Sequence, residues 1–222
     1  MREQDLRHMV YSIMNHPLFK DEFYKTNGER LMPIVEIPQS YEINAYAGVE
    51  EHTKVDEVTK RVVKVSELKI IVTPFLIRLL DIEELKAVLG HELCHLKYKD
   101  YNRLGESKTL QSIILYLVIA GSALVLPWYA LLGMFIVGSL LIKRNYYSLM
   151  QELEKRADLY GGAVSSPDAL ASALSKLQGV YEKLNRQDGG TKSFMEHFQV
   201  HPSTLKRIEH LRDEEAQACS SN

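Results

Sequence analysis

The feature that most constrains how this chain can fold is an uncharged stretch, residues 109–142, which lies between Lys108 and Lys143. A largely apolar run of that length is a candidate for insertion into a membrane. Pro127 and Trp128 divide it into segments of about 17 and 15 residues, which predicts a tight helical hairpin. At about 1.5 Å per residue, each arm is shorter than a hydrocarbon core of roughly 30 Å, so we expect the hairpin to thin the bilayer or to insert partway. The alternative is a pair of buried helices in a soluble or oligomeric protein.

Length and composition set broader limits. With 222 residues, the chain is expected to hold one domain with at most an appended element. Its 27 basic and 29 acidic residues leave a net charge of -2, which offers no basic surface for nucleic acid. The two cysteines, Cys94 and Cys219, are too few for a disulfide framework and predict free thiols in a reducing compartment. The charged N-terminal segment has no apolar core of the kind that a secretory signal needs, so a cytosolic start is predicted.

Hydrophobic patterning outside the run predicts an α+β fold. Residues 1–24 suit an amphipathic helix, and residues 31–72 contain short β-rich pieces that predict a small antiparallel sheet. Asp81 and Glu84 have the spacing of a capping box ahead of a helix with one apolar face. The remaining predicted helices cover about 146–160 and 168–184, and a last one begins at Pro202.

These elements predict a simple division of the chain. Residues 1–109 and 143–218 are interpreted as one domain that the apolar run interrupts. Residues 110–142 are the inserted transmembrane or membrane-embedded hairpin, and residues 219–222 are a polar tail.

The capped helix carries a pentad with the spacing of a metal-binding pair, His91-Glu92-Leu93-Cys94-His95. Residues four apart lie on the same helix face, so the imidazoles of His91 and His95 can reach one metal ion. Glu92 lies beside the first of them, where a carboxylate could act as a general base without ligating the metal. Cys94 is interpreted as buried packing. The alternative is a surface helix with two histidines, because three fixed positions recur by chance.

A catalytic zinc site usually has three protein ligands and one open position, so the third ligand must come from elsewhere in the chain. Glu154 is the predicted ligand, because Asp158 follows one turn later on the same helix face. From there Asp158 can accept a hydrogen bond from a ligating histidine. Glu152 is a rival ligand that points to another side of the helix. One Zn²⁺ ion per chain is the predicted cofactor.

Taken with their neighbours, these residues resemble the M48 family of metallopeptidases, a gluzincin family. The resemblance covers about residues 31–212 and is carried by four stretches in the family's order, residues 44–48, 85–100, 154–158 and 201–208. It implies a zincin-like metalloprotease domain made of a small sheet and active-site helices. It also implies that the zinc ligands are His91, His95 and Glu154, that Glu92 is the general base, and that Asp158 supports the ligands.

The same resemblance assigns roles to four further positions. It implies that Asn44 and Ala45 belong to an edge strand that binds the substrate in extended form. It places His201 at the cleft as a catalytic group that stabilises the tetrahedral oxyanion, with Arg207 holding the local structure. The residues themselves leave open that His201 is only a polar flank of the helix that starts at Pro202.

The sequence therefore predicts a zinc-dependent metalloendopeptidase that hydrolyses protein substrates at a membrane, in quality control or processing. Two alternatives stay open, a catalytically silent zinc-containing membrane scaffold and a CAAX prenyl-protein endopeptidase. Two short arms offer no large intramembrane chamber for the latter. The predicted partners are an extended peptide or protein and a lipid bilayer, and no nucleic acid.

The predicted metal site also constrains the topology of the hairpin. The histidines and Glu154 can meet only if the intervening run enters and leaves the membrane on one side, which requires an even number of crossings. Basic residues flank both ends, and the positive-inside rule places both on the cytoplasmic side, together with the active site. These flanking residues are Lys97, Lys99, Arg103, Lys108, Lys143 and Arg144.

Overall fold

The computed structural model of the chain describes residues 2–24, 30–31, 33–39, 44–55, 62–187 and 206–213. Its helices are α1 (Glu3–Met14), α2 (Pro74–Leu79), α3 (Ile82–Tyr98), α4 (Asp100–Ser122), α5 (Trp128–Val164) and α6 (Pro167–Gln187). Its strands are β1 (Pro33–Glu36), β2 (Ala45–Val55) and β3 (Val62–Val72). Residues 206–213 are also helical. The chain is mainly helical with one small sheet, which agrees with the predicted mixture of helices and strands.

The three strands form one sheet in the order β1-β3-β2. β2 and β3 are antiparallel along their whole length, from Ala45 opposite Val72 to Val55 opposite Val62. β1 runs parallel to β3, with Pro33 opposite Leu68. The prediction of a purely antiparallel sheet is therefore wrong for this pair. Turn signals predict antiparallel pairing between strands that follow each other in sequence. β1 instead pairs with β3, and β2 lies between these two strands in the sequence.

Helix α3 lies at the centre of the core. It contacts α5, α6, β2 and α1, and its residues Leu85, Leu89 and Leu93 are buried. Burial of one leucine side chain contributes about 1.5–3 kcal/mol to stability, so this face holds the helix firmly in place. The apolar face of α1 belongs to the same core, although α1 ends at Met14 and is shorter than predicted.

The predicted capping box starts α3. The amide of Glu84 donates to Oδ1 of Asp81 at 2.9 Å, and the amide of Asp81 donates to Oε2 of Glu84 at 2.8 Å. Glu84 also accepts hydrogen bonds from Ser172 and Lys176 of α6, both at 2.6 Å. A signal that is local in sequence therefore also fixes how α6 packs on α3.

Helices α4 and α5 lie side by side in opposite directions and are joined by residues 123–127. They approach closely where Leu115 lies against Gly138, since a Cβ atom at Gly138 would be 2.3 Å from Leu115 Cδ1. None of the helices in the described ranges is long and apolar enough to cross a membrane. The predicted transmembrane hairpin is therefore not found in the structure.

Helix α5 is continuous over 37 residues. The helix predicted at residues 146–160 lies in its second half, and the uncharged residues 128–142 lie in its first half. No proline or glycine pair interrupts the segment around Lys143, so the helix continues where the composition changes. The candidate ligand Glu154 therefore lies on the same continuous helix as the uncharged residues that pack against α4.

Candidate metal centre

Three potential metal ligands converge between α3 and α5. His91, His95 and Glu154 each offer one ligand atom, and these atoms all lie within 4.8 Å of one another. The two histidine Nε2 atoms are 3.1 Å apart. Oxygens of Glu154 lie 3.7 Å from Nε2 of His91 and 3.5 Å from Nε2 of His95. Two imidazoles and one carboxylate at this spacing could hold one metal ion.

Small residues bring the two helices together at this point. A Cβ atom on Gly161 of α5 would lie 2.6 Å from the carbonyl oxygen of Ala87 and 3.3 Å from Cβ of His91. On α3, a Cβ atom on Gly90 would lie 3.1 Å from Cβ of Val164. Because larger residues would push the helices apart, these glycines set the distance between the histidines and Glu154.

A buried ion-pair network surrounds the Glu154 side of the centre. Oδ1 of Asp158 lies 3.0 Å from Nδ1 of His91. Arg207, in the helical segment 206–213, donates from Nε to Oδ2 of Asp158 at 2.8 Å and from Nη2 to Oδ1 at 2.5 Å. Its Nη2 also lies 3.4 Å from Glu154. Arg207 therefore offsets part of the charge of the two carboxylates and connects a distant segment to the centre.

Asp100 orients the second histidine, and the sequence interpretation did not identify it. Its Oδ2 lies 2.8 Å from Nδ1 of His95, and its Oδ1 accepts from Arg156 of α5 at 2.5 Å. The guanidinium of Arg156 lies 3.9 Å from the ring centroid of Tyr98. Lys99 adopts the left-handed conformation (φ 53°) between α3 and α4, and the chain reverses there. This reversal places Asp100 beside His95. The available signal was an acidic residue just beyond the ligand helix, which is a common source of a partner for a ligating histidine.

Nearby carboxylates control the protonation of His95. Burial opposes the charged form of His95, but hydrogen bonds to Asp100 and Glu154 outweigh it and raise the pKa of His95 to about 10. Burial alone would raise the pKa of Asp158, yet Arg207 and His91 hold it below its usual range. The pKa of Asp100 is likewise lowered, because His95 and Arg156 outweigh its burial. The anions thus stay charged and the site favours a cation.

The donor set fits a metal ion. Both histidines turn Nδ1 toward an aspartate, at 3.0 Å and 2.8 Å, so in their neutral forms the lone pairs lie on the two Nε2 atoms. Those lone pairs and the carboxylate of Glu154 face one small volume. Three acceptors that converge in this way repel one another unless a proton or a cation lies between them.

The charge of Glu92 acts on two groups of the centre, His95 and Arg207. It is half-buried, unlike the buried His91 before it. Its charge helps to raise the pKa of His95, although burial is the largest influence and acts in the opposite direction. It also acts on Arg207, whose pKa is raised because three nearby carboxylates outweigh its burial. Glu92 is therefore close enough to influence both groups.

The remaining predicted site residues fall in different places. Asn44 precedes β2, and Ala45 is the first residue of that strand. Glu152, the rival ligand, is exposed on α5 and is not part of the metal-ligand group. His201 lies outside the described residues. Cys94 is fully buried, and burial raises the pKa of its thiol to about 12, so the side chain stays neutral.

Comparison with known proteins gives a consistent result. The chain matches Peptidase family M48 over residues 24–215. It is similar to Protease HtpX homolog 2 of Methanosarcina mazei, with 31% identity over 63% of this chain and 56% of the relative. For Protease HtpX homolog of Pyrococcus furiosus, the identity is 30% over 64% of this chain and 57% of the relative. The chain therefore spans little more than half the length of these curated relatives. No solved structure matches it significantly.

The matched region contains the pentad of α3, the helix that carries Glu154 and the segment of Arg207. Metallopeptidases of this family depend on a metal, which agrees with a His-His-Glu group that could hold one. On the extent of this match, the chain belongs to Peptidase family M48.

Proposed function

We propose that this protein is a zinc-dependent metalloendopeptidase with His91, His95 and Glu154 as the metal ligands. The convergence of these side chains within 4.8 Å is the observation that supports the proposal most directly. Zinc suits a small site of two imidazoles and one carboxylate. When bound, the ion supplies a Lewis acid that polarises the scissile carbonyl and activates water.

In this proposal Glu92 is the general base and acid. It accepts a proton from the attacking water and later delivers that proton to the leaving amine. Asp158 and Asp100 hold the two imidazoles in the orientation that turns Nε2 toward the ligand position. Arg207 keeps Asp158 and Glu154 in place, and His201 is proposed to stabilise the oxyanion.

We further propose that the outer edge of β2 binds the substrate as an added strand. In the part of the chain that the structure describes, β2 pairs with β3 only, so its other edge is open. Thr73 accepts from the amide of Asn44 at 3.1 Å and donates to its carbonyl oxygen at 3.1 Å. Because the backbone of Asn44 is held in this way, main-chain pairing with a peptide would begin at Ala45.

A membrane is the proposed location, with a role in protein quality control or processing. The α4–α5 pair exposes many large apolar side chains, including Leu117 (68% exposed), Leu124 (88%) and Trp128 (75%). Exposed apolar surface of this extent favours burial against another apolar phase. We propose that residues 110–142 insert partway into a bilayer and that the catalytic domain, residues 1–109 and 143–218, stays on the cytoplasmic side.

The test is cleavage of an unfolded protein such as casein by the zinc-loaded full chain. We expect Glu92→Gln to lower turnover by roughly 10² to 10⁴-fold while zinc content is unchanged. Glu152→Gln, a matched change at an exposed site on α5, should leave turnover unchanged. If the wild-type chain binds zinc but cleaves neither casein nor a prenylated peptide, the proposed activity is wrong and a zinc-containing scaffold is favoured. Cleavage of the prenylated peptide alone would favour the prenyl-protein endopeptidase.

A further inference from the structure

A groove lies between α4 and α5, away from the metal centre. Its volume is about 430 Å³, and ten side chains line it. Those from α4 are residues 108, 112, 115 and 116, and those from α5 lie between residues 135 and 147. None of the proposed metal ligands or their partners takes part, so the groove requires its own explanation.

One end of the groove carries positive charge. Lys108 lies 5.9 Å from the ring centroid of Tyr146, and Lys143 lies 5.9 Å from that of Tyr147. Both lysines are exposed, and within the described ranges neither ammonium forms an ion pair with a carboxylate. The aromatic rings hold the two cations beside the groove without neutralising them. This end is therefore suited to an anion.

The other end of the groove is apolar. Leu115 and Phe135 line it, and Ser112 and Ser139 lie between them and the lysines along the two helices. At about 1.5 Å per residue, Phe135 lies roughly 12 Å from Lys143 along α5. Beyond this point every residue as far as the tip of the pair is uncharged. The groove thus changes from cationic to apolar over the length of a lipid headgroup.

We propose that the groove binds one anionic phospholipid molecule. Its phosphate would lie between the ammonium groups of Lys108 and Lys143, and its acyl chains would follow Leu115 and Phe135 toward the tip. Ser112 and Ser139 line the groove where the glycerol and ester region would lie. The hydroxyl of Ser112 donates to the carbonyl oxygen of Lys108 at 2.9 Å, so it would offer the lipid an acceptor oxygen. This proposal rests on the membrane association proposed above, because the groove would meet a phospholipid at the surface of a bilayer. A bound lipid would also fix how deeply the α4–α5 pair lies in the interface.

The experiment measures binding of a monomeric short-chain lipid to the full chain. Calorimetric titration with dihexanoyl phosphatidylglycerol, below its micelle concentration, should show one saturable site. Binding of dihexanoyl phosphatidylcholine should be roughly tenfold weaker or more, since its choline cation meets two lysines. Glycerol 3-phosphate should bind weakly, because it lacks the chains that fill the apolar end.

Variants locate the site. Lys108→Gln with Lys143→Gln should weaken phosphatidylglycerol binding roughly tenfold or more. Lys20→Gln with Lys183→Gln removes the same charge from exposed positions elsewhere and should leave it unchanged. Ser139→Trp fills the groove while both lysines remain and should also abolish binding, with circular dichroism as the check on folding. Equal loss in the two lysine pairs, or equal affinity for both lipids, would overturn the proposal.

Membrane association is tested separately with vesicles of neutral phosphatidylcholine. If the chain floats with these vesicles but shows no phosphatidylglycerol site, the lipid site is wrong and membrane association stands. If it binds the monomeric lipid but no vesicle, the site stands and membrane association is wrong. Casein cleavage in detergent reports on the peptidase activity independently of both results.

Discussion

Oδ2 of Asp100, the first residue of α4, lies 2.8 Å from Nδ1 of His95 in the last turn of α3. The same carboxylate accepts from Arg156 of α5. One buried side chain therefore connects the candidate metal ligand to both helices of the α4–α5 pair. A displacement of this pair would therefore reach His95 through Asp100 and also through Glu154 of α5, whose carboxylate lies 3.5 Å from Nε2 of His95.

The first prediction concerns this contact. Asp100→Asn should weaken zinc binding by roughly 10 to 100-fold. The amide has only one acceptor oxygen, so it cannot serve Nδ1 of His95 and Arg156 at once. Chelator competition measures the affinity, and Asp168→Asn, a matched change at an exposed residue of α6, is the control. Wild-type affinity in Asp100→Asn would show that the contact does not support the ligand.

The second prediction distinguishes the two acidic candidates on α5. Glu154→Ala should lose most of its bound zinc, because the remaining two imidazoles provide too few ligands. Glu152→Ala should keep about one zinc ion per chain, since Glu152 is exposed and outside the ligand group. Elemental analysis after dialysis gives the zinc content directly. Loss of zinc in Glu152→Ala alone would identify a different third ligand.

The third prediction tests the close approach of α3 and α5. Gly161→Ala should lower the free energy of unfolding by about 1–3 kcal/mol, because the added methyl group meets the carbonyl of Ala87. It should also weaken zinc binding by moving His91 away from Glu154. Gly179→Ala has nothing within 4 Å of the new Cβ and should leave stability unchanged or raise it by up to about 1 kcal/mol. Urea denaturation compares the two, and equal effects would contradict the packing argument.

The fourth prediction concerns pH. Burial raises the pKa of Glu84, but Lys176, Ser172 and the amide of Asp81 outweigh burial and lower it from its ordinary value of 4.5. Glu84→Gln should therefore lower the free energy of unfolding by about 1–3 kcal/mol near pH 7. A lowered pKa contributes stability that is complete above the unfolded value and is lost as the pH falls through the folded value. The difference between wild type and variant should thus shrink below about pH 4.5.

Denaturant unfolding at a series of pH values measures this difference. Glu83→Gln is the control, because Glu83 is an exposed neighbour in the same first turn. Surface changes of this kind usually alter stability by less than about 0.5 kcal/mol. A difference for Glu84→Gln that stayed constant down to pH 3 would show that its charge contributes nothing.

Some features followed from the sequence because they depend on residues close together in the chain. The start of α3 is one, since Asp81 and Glu84 satisfy each other's amides within a single turn. The common face of His91 and His95 is another, because the period of the α-helix alone sets it. Asp158 was identified for the same reason, as it lies one turn beyond Glu154.

Other features depended on contacts between distant segments, which no local pattern records. The parallel pairing of β1 with β3 arises from the order of strands in the sheet and not from a turn. The second arm of the predicted hairpin and the helix predicted at residues 146–160 are one continuous helix, α5, because tertiary packing tolerates a change from apolar to charged surface within a helix. The uncharged run predicted a transmembrane or membrane-embedded hairpin, yet none of the described helices is long and apolar enough to cross a membrane.

In the candidate metal centre, too, some features depend on nearby residues in the sequence and others on contacts between distant segments. Sequence spacing predicted that His91 and His95 share one helix face with Glu92 beside them, and that Glu154 and Asp158 share a face of another helix. Only the tertiary structure decided that α5 packs against α3 at Gly161, that Arg207 lies between Asp158 and Glu154, and that Asp100 reaches His95. The physical reason is that a helix period repeats along one chain segment, whereas these distances depend on how large the packed residues are and where the chain turns.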